Sequence, residues 1–352
     1  MERKRATITD VAVHAGVSKA TVSAALNSTA GVRDETRERV LSSAEQLDYR
    51  PAGRARAGAG PQPEVSGGGR SLALLIRESD NPYYAEVIAG ARAAIEARGF
   101  TLLVVSSEGD YESERRAVRL LRAKEVDGLM AYPLMDDHAD LSHFFELRRR
   151  NFPFVLLEGV RGLPGGLIDI DNRAASCTAT EHLIGLGHTK LAHFAGPVYS
   201  LHTRERLDGV RKACSGALVR FTDAHVISAG AHLEDGYRAA LAYFRSCPPA
   251  ERPTGVTCYN DLVAAGVCSA LAELGLTVPG DVSVVGFDDI PLARYLAVPL
   301  TTVHIPGKET GHLAAELLIA QLESSTPVAP ERHLMEATFV VRASTGVPPA
   351  PP

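Results

Sequence analysis

The chain has 352 residues, 45% of them hydrophobic, with mean hydropathy close to zero and a formal charge of −5. That length and composition can bury the cores of two or three domains, while no apolar run reaches the length of a membrane span. The five cysteines are odd in number, scattered and without a CxxC pair, so neither a disulfide framework nor a zinc site is expected; with no signal peptide at the start, a cytoplasmic protein free of cofactor and membrane contact is predicted.

The first predicted elements are short helices. In "ITDVAVHAGVSKATVSAALN", residues 8–27, Val11, Ala12, Ala15 and Val17 form one apolar cluster, and Val22, Ala25 and Leu26 recur at helical spacing in the next. Gly16 falls between them, where a turn needs positive φ, and Ser18 stands as the N-cap of the second helix. A third helix is expected from "VRDETRERVLSSAEQLDYRP", residues 32–51, with Thr36, Val40, Leu41, Ala44 and Leu47 on one face. The second helix leaves Lys19, Ala20, Thr21, Ser23 and Asn27 on its surface, small, polar or basic side chains suited to base edges and phosphates, and carries no acid. Residues 1–60 hold ten Lys and Arg against seven Asp and Glu, a local +3 that leaves −8 for the rest. The asymmetry directs the N-terminus at a polyanion.

Next comes "PAGRARAGAGPQPEVSGGGRS", residues 51–71, too poor in large apolar side chains to join a core and therefore a tether. From residue 71 the pattern alternates between strands and helices. "SLALLI", "TLLVVS", "DGLMAY" and "PFVLLE" form one set; "KLAHFAG", "AHVISAG", "GVTCYND" and "DVSVVGFDD" form a second; "TTVHI", "KETGHLAAELLIAQL" and "EATFVVRAST" close the chain. The predicted class is α/β: a three-helix domain with a helix-turn-helix, then two lobes of parallel sheet crossed several times by the chain. The expected boundaries are 1–50 for the helical domain, 51–70 for the tether and 71–345 for the core, with 346–352 as a tail. Lobe one is expected over about 71–160 and 292–323, and lobe two over about 161–291 and 324–345.

In such sheets a ligand lies beyond the carboxyl ends of the strands. The residues found there are Asp80, Asn81, Tyr83 and Tyr84 after the first strand, Ser200, His202 and Arg206 after "KLAHFAGP", Asn260 with Asp261 after "GVTCY", and Asp288 after "DVSVVGF". Asp accepts and Arg donates in paired geometry, which suits vicinal hydroxyls. The competing reading makes Asn260 and Asp261 caps of the following helix and Asp288 a turn former. His138, Asp140, His143 and Glu146 crowd one segment, but His138 and His143 are five apart and share no helical face, so no metal is assigned. No GxxxxGK[ST], GxSxG or HExxH motif occurs.

The order of "ITDVAVHAGVSKATVSAALN" followed by "VRDETRERVLSSAEQLDYRP" resembles the LacI/GalR family of bacterial transcriptional regulators. The resemblance runs through the core, which is similar to periplasmic sugar-binding proteins. It implies a repressor that binds an inverted-repeat operator as a homodimer, controlled by a small molecule, a sugar or sugar derivative, between the lobes. Thr7, Ser18, Lys19, Ala20, Thr21, Ser23, Asn27, Arg54 and Arg56 would then meet DNA. Arg206, Asn260 and Asp288 would meet the effector, with Tyr83, Tyr84, Ser200 and His202 around it. The chain departs from the family at the hinge, where Gly58 stands in place of a leucine that wedges into the minor groove and no Leu occurs between Leu47 and Leu72. A sugar-handling enzyme with an appended DNA-binding domain is the alternative, and the lack of a catalytic motif counts against it.

Overall fold

The computed structural model describes residues 7–26, 34–47, 70–123, 126–135, 139–324 and 331–350. Asn27, Arg54, Arg56, Gly58, His138 and tether residues 51–69 lie outside them, as do the side chains of Ala20 and Leu26. The chain divides into two compact units, residues 1–66 and 67–352.

The first unit holds α1 (Ile8–Ala15), α2 (Lys19–Leu26) and α3 (Asp34–Gln46). Gly16 has φ +65° and its N–H closes α1 onto the Ala12 and Val13 carbonyls, the left-handed cap that a residue without Cβ adopts at no steric cost. Val11, Ala12, Ala15, Val22, Ala25, Val40 and Ala44 are buried together. Leu41, expected on the inner face, is 48% exposed, and Ser43 takes the inward position, its hydroxyl donating to the Arg39 carbonyl. The cause is helical phase, because residue 41 sits about 100° from residue 40 while 43, 44 and 47 return to its face.

The second unit runs β1 (Ser71–Ile76), α4 (Pro82–Ala97), β2 (Thr101–Ser106), α5 (Tyr111–Ala123), β3 (Gly128–Ala131), α6 (Ser142–Arg149), β4 (Phe154–Leu156), β5 (Gly166–Ile170), α7 (Asn172–Gly185), β6 (Leu191–Ala195), α8 (Leu201–Gly216), β7 (Val226–Ser228), α9 (Leu233–Ser246), β8 (Gly255–Cys258), α10 (Asp261–Glu273), β9 (Ser283–Val285), β10 (Thr302–His304), α11 (Gly307–Glu323), β11 (Arg332–Met335) and β12 (Thr338–Val340). Lobe one is a parallel sheet in the order β11-β5-β4-β3-β1-β2; lobe two is the parallel sheet β7-β6-β8-β9, beside which β10 and β12 pair antiparallel. Each sheet is covered on both faces, as parallel sheets require. Where α4 crosses α11 the backbones touch: a Cβ on Gly90 would collide with the Lys308 carbonyl oxygen, and one on Gly311 with that of Val87.

These pairings correct the expected lobe bounds. β5 and β11 pair in lobe one, although both fall in segments assigned to lobe two. Residues 292–304, assigned to lobe one, pack in lobe two through Ala293, Leu300 and Val303. The chain therefore crosses between lobes at 170–172, 304–307 and 335–338. The start of the expected tail is also fixed to lobe two, since the Gly346 N–H donates to Ser283 Oγ and its carbonyl lies 2.9 Å from His188 Nε2.

Candidate functional site

In the helical unit Ser18 caps α2, its Oγ accepting from the Thr21 N–H at 3.1 Å and lying 2.9 Å from Thr21 Oγ1. Thr7 caps α1 in the same manner, its Oγ1 accepting from the Asp10 N–H at 3.4 Å, while its own N–H and hydroxyl donate to Asp10 Oδ2, both at 2.7 Å. Lys19 and Ser23 are exposed on α2 and Thr21 is half-buried. The capped, positively polarised end of α2 thus presents a lysine and small polar groups, a surface that can approach phosphates and base edges.

Between the lobes, six of the seven candidates line one cavity of about 30 Å³: Tyr83, Tyr84, His202, Arg206, Asn260 and Asp288. Arg206, on α8, is 5% exposed. Its guanidinium carbon lies 3.7 Å from the centre of the Phe287 ring and 4.8 Å from that of Tyr259. Nε donates to Asn172 Oδ1 at 3.0 Å, Nη1 donates to the Tyr259 carbonyl, and Nη2 stands 3.7 Å from Asp288 Oδ1. Asp288 follows β9 at φ +107°, a strained setting for a non-glycine residue. Burial pushes its carboxyl up to about 7, against the opposing pull of Arg206.

Asn260 spends both ends of its amide on structure, Oδ1 accepting from the Val263 N–H and Nδ2 donating to the Ala231 carbonyl, each at 2.9 Å. It is the N-cap of α10 as well as a wall of the cavity. Asp261 is wholly structural, taking the Thr302 hydroxyl and the Ile290 N–H. Tyr83 Oη lies 3.1 Å from Tyr132 Oη, and burial raises the Tyr83 phenol to about 12. Ser200 stands behind the wall, accepting from Arg77 Nη1 at 3.2 Å and from the Tyr259 hydroxyl at 3.3 Å. Asp80 is outside the cavity and faces His232 at 3.3 Å. Arg77, Glu78, Tyr132 and Tyr259 also line it and follow β1, β3 and β8 directly, so the strand-end rule applied to the first one or two residues after each strand identifies them.

The lobes are joined around this cavity. The Tyr199 hydroxyl donates to Glu78 at 2.7 Å, the Leu201 N–H to Glu158 Oε1 at 2.6 Å, and the Met135 N–H to the Tyr199 carbonyl at 2.6 Å. Arg77 pairs with Glu158. Deeper in, burial lowers the His202 imidazole to about 4, and burial next to Asp169 raises Glu205 to about 7. His143, considered with the His138 segment, instead faces Glu114 at 2.9 Å inside lobe one, while Glu146 pairs with Arg122 and Arg150.

A capped helix-turn-helix unit in the same chain as a two-lobed, ligand-binding core defines a class: DNA-binding regulators switched by a small molecule. The profile of bacterial regulatory proteins of the lacI family matches residues 7–52, and that of the periplasmic binding protein-like domain matches residues 180–345. The chain is 32% identical over 329 residues to the HTH-type transcriptional repressor PurR of Vibrio vulnificus (strain CMCP6), covering 90% of this chain and 92% of that one. It is 33% identical over 342 residues to the PurR of Aliivibrio fischeri (strain MJ11), covering 96% and 98%. Among solved structures, a complex of the transcriptional regulator CelR with cellobiose matches with a TM-score of 0.69 at 29% identity, over 97% of this chain and all of that one. The lac repressor dimer bound to operator and the anti-inducer ONPF matches with a TM-score of 0.70 at 25% identity, over the same shares. The chain belongs to the LacI family of bacterial regulatory proteins: it is a DNA-binding transcriptional repressor with a small-molecule effector, not an enzyme. Among the described residues no helix is long and apolar enough to cross a membrane.

Proposed function

We propose that the effector is a carbohydrate held between the lobes, with Arg206 and Asp288 as the polar clamp, Asn260 and His202 beside them, and Tyr83 and Tyr84 as walls. The carrying observation is the Arg206–Asp288 pair: Arg206 Nη2, held by the bonds of Nε and Nη1 and backed by the Phe287 ring, stands 3.7 Å from Asp288 Oδ1, a donor and an acceptor side by side that suit neighbouring hydroxyls on a ring. Ser200 acts one step back, through Arg77 and Tyr259. The CelR structure, similar over nearly the whole chain, holds cellobiose and supports the same class of ligand. A cavity of about 30 Å³ is far below the several hundred that small-molecule sites occupy, so the lobes part before the effector enters.

On the DNA side the reading is a homodimer on an inverted repeat, since one eight-residue helix contacts too few bases for tight binding alone. Lys19 anchors or reads each half-site, with Ser18, Ala20, Thr21 and Ser23 along the same helix and Thr7 at the start of α1. Asn27, Arg54 and Arg56, read from the sequence as further DNA contacts, lie outside the described residues. Dimerisation is supported by apolar side chains left in solvent, Leu103 and Val104, each 40% exposed on the edge strand β2, and Leu120, 51% exposed on the following helix. Selection of bound sequences from random DNA, combined with a melting screen of mono- and disaccharides, tests both halves. An enriched inverted repeat is expected, with a sugar that raises the melting temperature and changes operator affinity. A direct-repeat motif refutes the first half, and a nucleobase acting where no sugar does refutes the second.

A further inference from the structure

We infer that Glu158, Asp169, His202 and Glu205 form a binding site for one divalent transition-metal ion, Zn²⁺ by its donor set, that bridges the two lobes. One donor atom from each of Asp169, His202 and Glu205 lies within 4.8 Å of the other two, the one such trio among the described residues. His202 Nε2 is buried with no hydrogen-bond partner, yet it stands 3.4 Å from Glu158 Oε2 and 3.6 Å from Asp169 Oδ1. Those separations are poor for a hydrogen bond to a buried imidazole. They are right for ligands sharing an ion, because donors about 2.0–2.1 Å from a tetrahedral centre stand about 3.4 Å apart.

The groups come from both lobes: Glu158 follows β4, Asp169 lies in β5, and His202 and Glu205 occupy one face of α8 at i and i+3, the spacing with which helices present a paired His and Glu to a metal. Each of the three carboxylates is oriented by a second contact. Asn172 Nδ2 donates to Glu205 Oε2 at 3.0 Å, the Ile170 N–H to Asp169 Oδ1 at 2.8 Å, and the Leu201 N–H to Glu158 Oε1 at 2.6 Å. Charge argues the same way, since three carboxylates share this space and Arg77, paired with Glu158, offsets one of them. Mixed imidazole and carboxylate donors select a transition ion over Mg²⁺. Asp169 and Glu205 also open onto a cavity of about 620 Å³, which supplies a route from solvent.

The test uses the full chain, stripped with a chelator and titrated with Zn²⁺ alone in competition with a chromophoric indicator, then with Co²⁺ read by visible absorption. Wild type is expected to take up one ion per chain and to give the intense absorption of tetrahedral Co²⁺. Glu205→Gln, which keeps an acceptor for Asn172, and His202→Gln are each expected to weaken uptake at least tenfold and to lose that absorption. Circular dichroism checks folding; should His202→Gln not fold, Glu205→Gln decides alone. The inference is overturned by sub-stoichiometric uptake, by uptake unchanged in the folded variants, which assigns the ion to surface histidines, or by Mg²⁺ binding in place of Zn²⁺. None of these readouts involves DNA or sugar, so failure here leaves the effector reading standing.

Discussion

Asp288 offers the sharpest test of the cleft, because one carboxyl links stability, pH and ligand. Its carboxyl is 9% exposed and titrates near 7 in the folded chain, against an ordinary value of 3.8, chiefly because burial disfavours the charged form. A group whose folded pKa is raised contributes stability that is complete below the unfolded pKa and is lost as pH rises through the folded one. The window is therefore about pH 4 to 7, and the loss between pH 5 and pH 8 is on the order of 3 kcal/mol at about 1.4 kcal/mol per pH unit. Asp288→Asn removes the titration while retaining a side chain that tolerates positive φ. Urea midpoints of both proteins at pH 5, 6, 7 and 8 should show the variant gaining on wild type by roughly 3 kcal/mol across the series, whatever their offset at pH 5. Effector affinity moves oppositely: an ionised Asp288 accepts two hydroxyl protons, so wild-type binding strengthens as pH rises through 7, and the Asn variant binds weakly and without that pH dependence. Parallel stability curves for the two proteins would refute the burial argument.

Other expectations follow from the same contacts. Arg206→Ala should abolish the effector response, read as operator binding with and without ligand. It should also cost about 3–5 kcal/mol of core stability, because it leaves Asp288 without its cation and Asn172 Oδ1 without its donor. Unchanged effector affinity would remove Arg206 from the site. Lys19→Ala should weaken operator binding by roughly 1–3 kcal/mol per half-site if the side chain reads a base, with relaxed preference at that position in a mobility-shift series. Ser18→Ala should cost about 1 kcal/mol in the helical unit by freeing the Thr21 N–H, seen as a lower melting temperature of that unit with the core transition unmoved.

The strands most legible in the sequence are those whose apolar runs are flanked by turn residues, such as β1 and β2, where chain-local patterning and tertiary pairing agree. β5 and β11 escaped the reading for physical reasons. "GLIDI" carries an acid among its apolar residues, and "RHLM" is an edge strand with alternating exposure, so neither has a continuous apolar run. Without such runs the sequence pattern ends lobe one at about 160, although β5 and β11 bring the chain back to the same sheet. The strand-end rule put Tyr83, Tyr84, His202, Arg206, Asn260 and Asp288 on one cavity because in an open parallel sheet the carboxyl edge is set by topology alone. It could not show that Asn260 spends its amide on capping, or that Ser200 stands behind Arg77 and Tyr259.

What no local reading supplies is the link between the proposed effector clamp and the buried carboxylates. That link is Asn172, the first residue of α7, placed just after the chain leaves lobe one at β5. Its Oδ1 accepts from Arg206 Nε, while its Nδ2 lies within bonding distance of both Glu205 and the Ile170 carbonyl. An amide group is rigid and planar, so its oxygen and nitrogen cannot turn independently. If Arg206 swings toward a ligand, Asn172 must either follow it, straining the contacts to Glu205 and Ile170 at the crossover, or release it and leave a buried acceptor unpaired at a cost of about 1–3 kcal/mol. Under the proposed clamp, either course carries the effect of a ligand on Arg206 to the crossover at 170–172. Conversely, anything that fixes Glu205 also fixes the side chain against which Arg206 is aimed.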